Sequence, residues 1–151
     1  MIYIAYQSNT TDEIKEVFEK LKETFEITTP EDRHQLPRDE FVDESEKLLK
    51  GSNIFIAEAS EKSAGLEVET SWAHDNEIPI LFFVKEGMNY PDKLKDFHLR
   101  VIKYSTSEDL KIKLNRFLNE ESPSESKQEF FQYGDKKQYK SYKKGWERKY
   151  K

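Results

Sequence analysis

The chain opens on a short apolar and aromatic run at residues 2–6, the pattern of a buried strand. A polar stretch, SNTTDE, follows, with Thr11 placed to cap a helix. Ile14, Val17, Phe18, Leu21 and Phe25 then recur at helical spacing. Residues 25–28 form a second, weaker strand candidate closed by Pro30. Residues 30–40 (PEDRHQLPRDE) are polar, hold two prolines and read as a loop. Phe41, Ser45, Leu48 and Leu49 predict a helix that stops at Gly51, and residues 54–59 (IFIAEA) predict a strand. After the turn SEKSAG, residues 66–76 read as a helix with Trp72 and Ala73 inward. Residues 78–84 (IPILFFV) are apolar throughout, as in a strand covered on both faces. Residues 99–104 give a last short strand. Ser107 is placed to cap a final helix with Leu110, Leu114, Phe117 and Leu118 inward.

Strands alternating with helices predict an α/β fold. The expected form is a doubly wound, Rossmann- or flavodoxin-like, mostly parallel five-stranded sheet with helices on both faces. Such sheets bind ligands beyond the carboxyl ends of their strands, where the strand order reverses. Three loops therefore matter: residues 7–11, residues 60–65 and the segment after Val84.

Composition adds a division of the chain. Of 151 residues, 35% are hydrophobic and 36% charged, with a net charge of −5. Residues 122–151 hold nine Lys/Arg against four Asp/Glu, hence +5, and the remaining 121 residues hold 16 against 26, hence −10. The last 30 residues also hold seven of the 20 aromatics and no Leu, Ile, Val, Ala or Met. They cannot build an aliphatic core, so a boundary is expected near Glu121, with SPSES as linker and a basic, aromatic tail after it. The absence of Cys excludes disulfides and a thiol nucleophile, and three dispersed His match no metal spacing. No run is long enough to span a membrane, and the N-terminus lacks the features of a signal peptide, so the expected location is cytoplasmic.

The segment from Asn53 to Leu81 is the richest in candidate chemistry. A buried strand ends at Glu58, a loop holds Ser60, Ser63 and Gly65, and the next helix opens with Glu67 and Glu69. Carboxylates there support a helix start through its dipole. One that faces a ligand crevice can instead attack an electron-poor carbon. Glu58, at the end of a buried strand, reads either as a second site carboxylate or as an acceptor for loop N–H groups.

The run Ser63-Ala64-Gly65-Leu66-Glu67-Val68-Glu69-Thr70-Ser71-Trp72-Ala73, followed after five residues by Pro79-Ile80-Leu81, resembles the signature of the nucleoside 2-deoxyribosyltransferase superfamily. In pattern it is most similar to the 2′-deoxynucleoside 5′-phosphate N-hydrolases. The resemblance covers about the first 118 residues, with the N-terminal IYIAY run as the first strand. It implies that Glu69 is the nucleophile that attacks C1′ of the sugar, expels the base and leaves a glycosyl-enzyme ester. Water or a second base then resolves the ester, with the double-displacement logic of a retaining glycosidase. It implies that Tyr3 is the first-strand tyrosine that positions Glu69. It also implies that Ser63 and Gly65 hold the 5′ end of the substrate and that the chemistry uses no cofactor or metal; the first loop departs from the family at the matching offsets, but its Ser8, Asn9 and Thr10 are able to donate hydrogen bonds to the substrate.

The departures from that pattern are informative. Glu67 stands where the pattern has a second glycine, and the first loop lacks the usual glycine and arginine. Both argue for a neutral nucleoside over a 5′-phosphate. Ser45 occupies the position of an aspartate that contacts the leaving base, and Asn53 that of a strand-opening aspartate. Two alternatives follow: a nucleotide-binding module that has lost catalysis, and an NAD-cleaving domain of the TIR type, which also places a glutamate on a doubly wound sheet. The expected partners are a nucleoside or nucleotide and further copies of the chain as a homodimer or higher oligomer. The tail (QYKSYKKGWERKYK) has the composition either to dock on this acidic body or a neighbouring subunit, or to bind single-stranded nucleic acid.

Overall fold

A computed structural model describes residues 1–120. Its elements are β1 (Ile2–Ala5), α1 (Asp12–Lys20), β2 (Ile27–Thr28), α2 (Arg38–Lys50), β3 (Ile54–Glu58), α3 (Ala64–Asp75), β4 (Ile80–Lys85), β5 (Arg100–Tyr104) and α4 (Ser107–Glu120), with short 3₁₀ turns at Leu21–Glu23, Pro30–Asp32 and Asp92–Leu94. The five strands form one sheet in the order β2-β1-β3-β4-β5, and every pairing is parallel. This is the doubly wound α/β architecture expected from the alternation of strands and helices.

The pleat divides the core. Ile4, Ile54, Ile56, Leu81 and Phe83 face one side, where Phe18 of α1 and Leu110, Leu114 and Phe117 of α4 cover them. Tyr3, Ala5, Phe55, Ala57, Phe82 and Val84 face the other, against Leu49 of α2 and Leu66 and Ala73 of α3. Strand side chains alternate between faces with period two, so two apolar faces explain why the central strands read as unbroken apolar runs. Tyr3 pairs in register with Phe55, and Ala5 with Ala57.

The crevice position follows from this topology. From β1 the chain runs to α1 on one face and then to β2 on the outer side of β1. From β3 it runs to α3 on the opposite face. The loops after β1 and β3 thus part in opposite directions, and a cleft opens between them at the carboxyl edge.

Element ends correct several expectations. α3 begins at Ala64, because the Ser63 side chain accepts from the Leu66 N–H and caps it, so Glu67 lies in the first turn and Glu69 in the second. α4 is capped by Thr106, whose hydroxyl accepts from the Asp109 N–H; Ser107 is the first helical residue. α2 starts at Arg38, directly after Pro37, inside the stretch read as loop. β4 begins at Ile80, because the Ile78 N–H is taken by the Ala73 carbonyl and Pro79 has none to offer. Thr11 caps α1 and Gly51 closes α2, as expected. α4 runs to the boundary expected near Glu121. The basic tail lies outside the described residues. Among the described residues, no helix is long and apolar enough to cross a membrane.

Candidate active site

β1 carries Tyr3 on the face that α3 covers, and α3 turns Glu69 back toward it. The Tyr3 hydroxyl donates to Glu69 Oε2 at 2.6 Å. That is the length of a charge-assisted O–H···O⁻ bond, which fixes one carboxylate oxygen in place. The other oxygen, Oε1, lies beside Gly65; a side chain's first carbon there would come to 3.8 Å from it.

Burial pushes the Glu69 carboxyl above the usual carboxylate range, while the Tyr3 hydroxyl and the Arg33 guanidinium pull it back. Burial and the neighbouring Glu69 push the Tyr3 phenol far up. Tyr3 therefore remains a proton donor at any pH the fold tolerates, and the pair works as a fixed donor on a partly desolvated carboxylate.

Arg33 is the member that sequence reasoning missed. It lies in the stretch read as polar loop, yet it is 2% exposed. Its guanidinium carbon sits 4.5 Å from the Tyr3 ring centroid and 5.9 Å from that of Phe41. One terminal nitrogen donates to Thr28 Oγ1 at 2.8 Å, and Nε is buried without a hydrogen-bond partner. Among the described residues, no carboxylate lies within ion-pair distance of it. Buried charges are ordinarily paired. The local signal for Arg33 was only that a cation follows two prolyl-started residues after a strand, which does not reveal burial.

Ser45, on α2, is also buried, and its hydroxyl lies near enough to the Tyr3 phenol to lower that group slightly. It forms no hydrogen bond of good geometry. Tyr3, Glu69, Arg33 and Ser45 thus gather at the β1–β3 crevice from four separate elements.

The cleft beside them has a volume of about 290 Å³ and is bounded by Ser8 and Gln7 on one side, Ser63, Gly65 and Glu69 on a second, and Pro30, Arg33 and Phe41 on a third. Among solved structures, the chain is similar to a CMP N-glycosidase of Clostridium botulinum, BcmB. The TM-score is 0.57 at 19% identity, over 75% of this chain and 98% of that one. The likeness is one of fold. No family model and no curated protein matches the sequence.

The remaining predicted site residues divide. Ser63 and Gly65 lie at the cleft, with the Ser63 hydroxyl already committed to the α3 cap. Ser8 lines the cleft too, and its carbonyl accepts from Lys15 Nζ at 2.9 Å. Asn9 does not reach it: its side-chain amide donates to Glu61 at 2.8 Å, and it lines a neighbouring crevice of about 690 Å³ between the N-termini of α1 and α4.

Glu58 touches both spaces. The pleat places it with Ile54 and Ile56, on the sheet face opposite Tyr3, and Oε1 accepts from the backbone N–H and the hydroxyl of Ser60. The Ser60 hydroxyl in turn accepts from the Lys85 N–H at 2.8 Å, so this network ties β3 to β4 at the carboxyl edge. Burial pushes Glu58 up, and its charge helps push neighbouring Tyr104 up to about 12. Among the described residues, no group of three or more His, Cys, Asp or Glu is arranged to hold a metal ion.

Proposed function

We propose that this protein cleaves or exchanges the N-glycosidic bond of nucleosides or nucleotides, with Glu69 as nucleophile. The observation that carries the reading is Glu69 lining the β1–β3 crevice, with one carboxylate oxygen held at 2.6 Å by the buried Tyr3 hydroxyl and the other beside Gly65. The shared fold with a CMP N-glycosidase and the Ser63–Leu81 resemblance support it.

In the first displacement, a Glu69 oxygen forms a bond to C1′ as the C1′–N bond breaks, and its electron pair leaves with the base. In the second, water attacks C1′, the ester bond breaks and Glu69 is regenerated; the proton lost by water balances the one gained by the base. A second base in place of water gives exchange. Both steps pass through an oxocarbenium-like state that a nearby carboxylate stabilises. Tyr3 is a positioning residue: it orients the carboxylate and favours its charged form.

The test is incubation of the purified full chain with ribo- and deoxyribonucleosides, their 5′-monophosphates and NAD, with free base or nicotinamide measured by chromatography. The expected outcome is base release that Glu69→Gln lowers by about a thousandfold or more, as loss of a covalent nucleophile does. Tyr3→Phe removes a bond that favours the carboxylate. It should lower kcat by roughly ten- to a hundredfold, the equivalent of a hydrogen bond to a charged group. Because only deprotonated Glu69 attacks, the acid limb of the rate profile should also move to higher pH. Base release that persists undiminished in Glu69→Gln would sink the assignment.

A further inference from the structure

Resting on the reading above, we infer that Arg33 takes the leaving group: its guanidinium receives the carbonyl oxygen beside the glycosidic nitrogen of a 2-keto pyrimidine and holds the negative charge that develops as the base departs.

The first argument is the state of Arg33 itself. It is 2% exposed and, among the described residues, has no carboxylate in ion-pair distance; it uses one of its donors on a neutral hydroxyl, while its buried Nε has no hydrogen-bond partner there. A guanidinium offers five N–H donors in a planar fork. A buried cation with unused donors at the wall of a cleft is suited to an acceptor that enters from outside.

The second argument is the wall around it. Pro30 and Phe41 flank Arg33, and the Tyr3 ring lies beneath the guanidinium at 4.5 Å. An apolar and aromatic wall with one planar cation fits a flat heterocycle with an oxygen on its edge. The hydroxyl and backbone donors of Ser8, Ser63 and Gly65 lie on the other walls, where the sugar and its 5′ group belong.

The third argument is the reaction's need. A departing base carries the electron pair of the C1′–N bond and needs a proton or a cation. Among the described residues, the carboxyl groups lining the cleft are Glu58 and Glu69. Glu69 is the nucleophile, and Glu58 is turned to the opposite sheet face and engaged by Ser60. Ser45, buried beside Tyr3, has a hydroxyl too weakly acidic to protonate a base. Arg33 is the remaining charged group on the cleft. The balance is simple: the C1′–N bond breaks, the base leaves as an anion with its charge shared onto the carbonyl oxygen at Arg33, and it takes its proton afterwards from the water that resolves the ester. Adenine has no such carbonyl and gains nothing from this arrangement.

The experiment compares cleavage of uridine, cytidine, adenosine and p-nitrophenyl riboside, whose good leaving group needs little assistance, by the wild-type full chain and by Arg33→Gln and Arg33→Lys. Thermal melts report folding of each variant. The expected result is pyrimidine release at least tenfold faster than adenine release in the wild type. Arg33→Gln should lose at least tenfold more activity on uridine than on p-nitrophenyl riboside, and Arg33→Lys should recover part of that difference. Equal losses on both substrates would overturn the inference, as would adenosine cleavage matching that of uridine. If Arg33→Gln fails to fold, the Arg33→Lys comparison and the wild-type preference decide it. No cleavage of any substrate by the wild type would instead overturn the proposed function.

Discussion

Burial of the Glu69 carboxyl carries a cost in stability. The group is pushed up by burial, so the folded protein holds the proton more tightly than the unfolded chain does. Between the ordinary glutamate value of 4.5 and the raised folded value, the folded state binds more protons, and stability falls as pH rises through that window. The penalty is fully present above the raised value and absent below 4.5. Glu69→Gln keeps an acceptor for the Tyr3 hydroxyl and removes the buried charge. At pH 7.5 it should raise Tm by roughly 2–4 °C, the shift that about 1 kcal/mol produces in a chain of this size. The gain should shrink as the melts are repeated toward pH 4. A stabilising substitution that abolishes turnover is the expected mark of a site strained for function. A Tm that falls at both pH values would mean that Glu69 is a structural partner of Arg33.

At the scale of elements, the start of α3 sets the geometry of the site. The Ser63 cap fixes the first turn, Gly65 keeps it bare, and Glu69 follows in the second turn facing β1. Ser63→Ala should cost about 1 kcal/mol through loss of the cap to the Leu66 N–H, as measured by urea unfolding. Ser63→Asp should retain most of the stability, since aspartate caps equally well and suits the helix dipole. If Ser63 also contacts the substrate, as the resemblance implies, Asp will preserve folding and still lower activity. The resemblance thus marks a residue whose structural duty is itself visible: its oxygen accepts the Leu66 N–H in the cap, which leaves its O–H and the free N–H groups of the first turn to meet a ligand.

For the whole molecule, the two apolar clusters among the described residues run from Tyr3 to Phe117, and residues 122–151 hold no Leu, Ile, Val, Ala or Met with which to extend an aliphatic core. Deleting residues 122–151 should therefore leave the melting transition of the α/β domain within roughly 2 °C of the full chain, the range of a surface change. Activity and oligomeric state, followed by base release and size-exclusion chromatography, test the tail separately. If the +5 segment completes a neighbouring copy's cleft, the truncated chain will melt normally and lose turnover. If activity and size are both unchanged, the tail plays no part in the site. For a 5′-monophosphate substrate the charge division makes the first outcome the expected one, since a −10 body repels an anion and a cationic segment offsets that; for a neutral nucleoside it makes no such demand.

Local pattern sufficed for much of this. The apolar runs at β1, β3 and β4, the caps at Thr11 and Gly51, and the alternation of strands and helices follow from period, propensity and turn chemistry, which act over a few residues. Tyr3 and Glu69 were named as partners from resemblance alone, 66 positions apart, and the pleat and helix phase bring them to 2.6 Å. Arg33 was different. In the chain it is one charged residue in a proline-bearing polar stretch, and nothing local separates a solvated cation from a buried one. Burial is decided by what packs over a residue, here the Tyr3 ring from β1 and Phe41 from α2. Glu58 shows the same limit: its sequence neighbours leave open a second site carboxylate or an acceptor for loop N–H groups, and strand parity puts it on the face opposite Tyr3 with the Ser60 N–H on its Oε1. The sequence by itself determined the elements and their order, because those depend on neighbours along the chain, and its resemblance to a family supplied the candidate nucleophile. Only the tertiary structure decided which charges share the crevice, because that depends on sheet order and on which face each side chain takes.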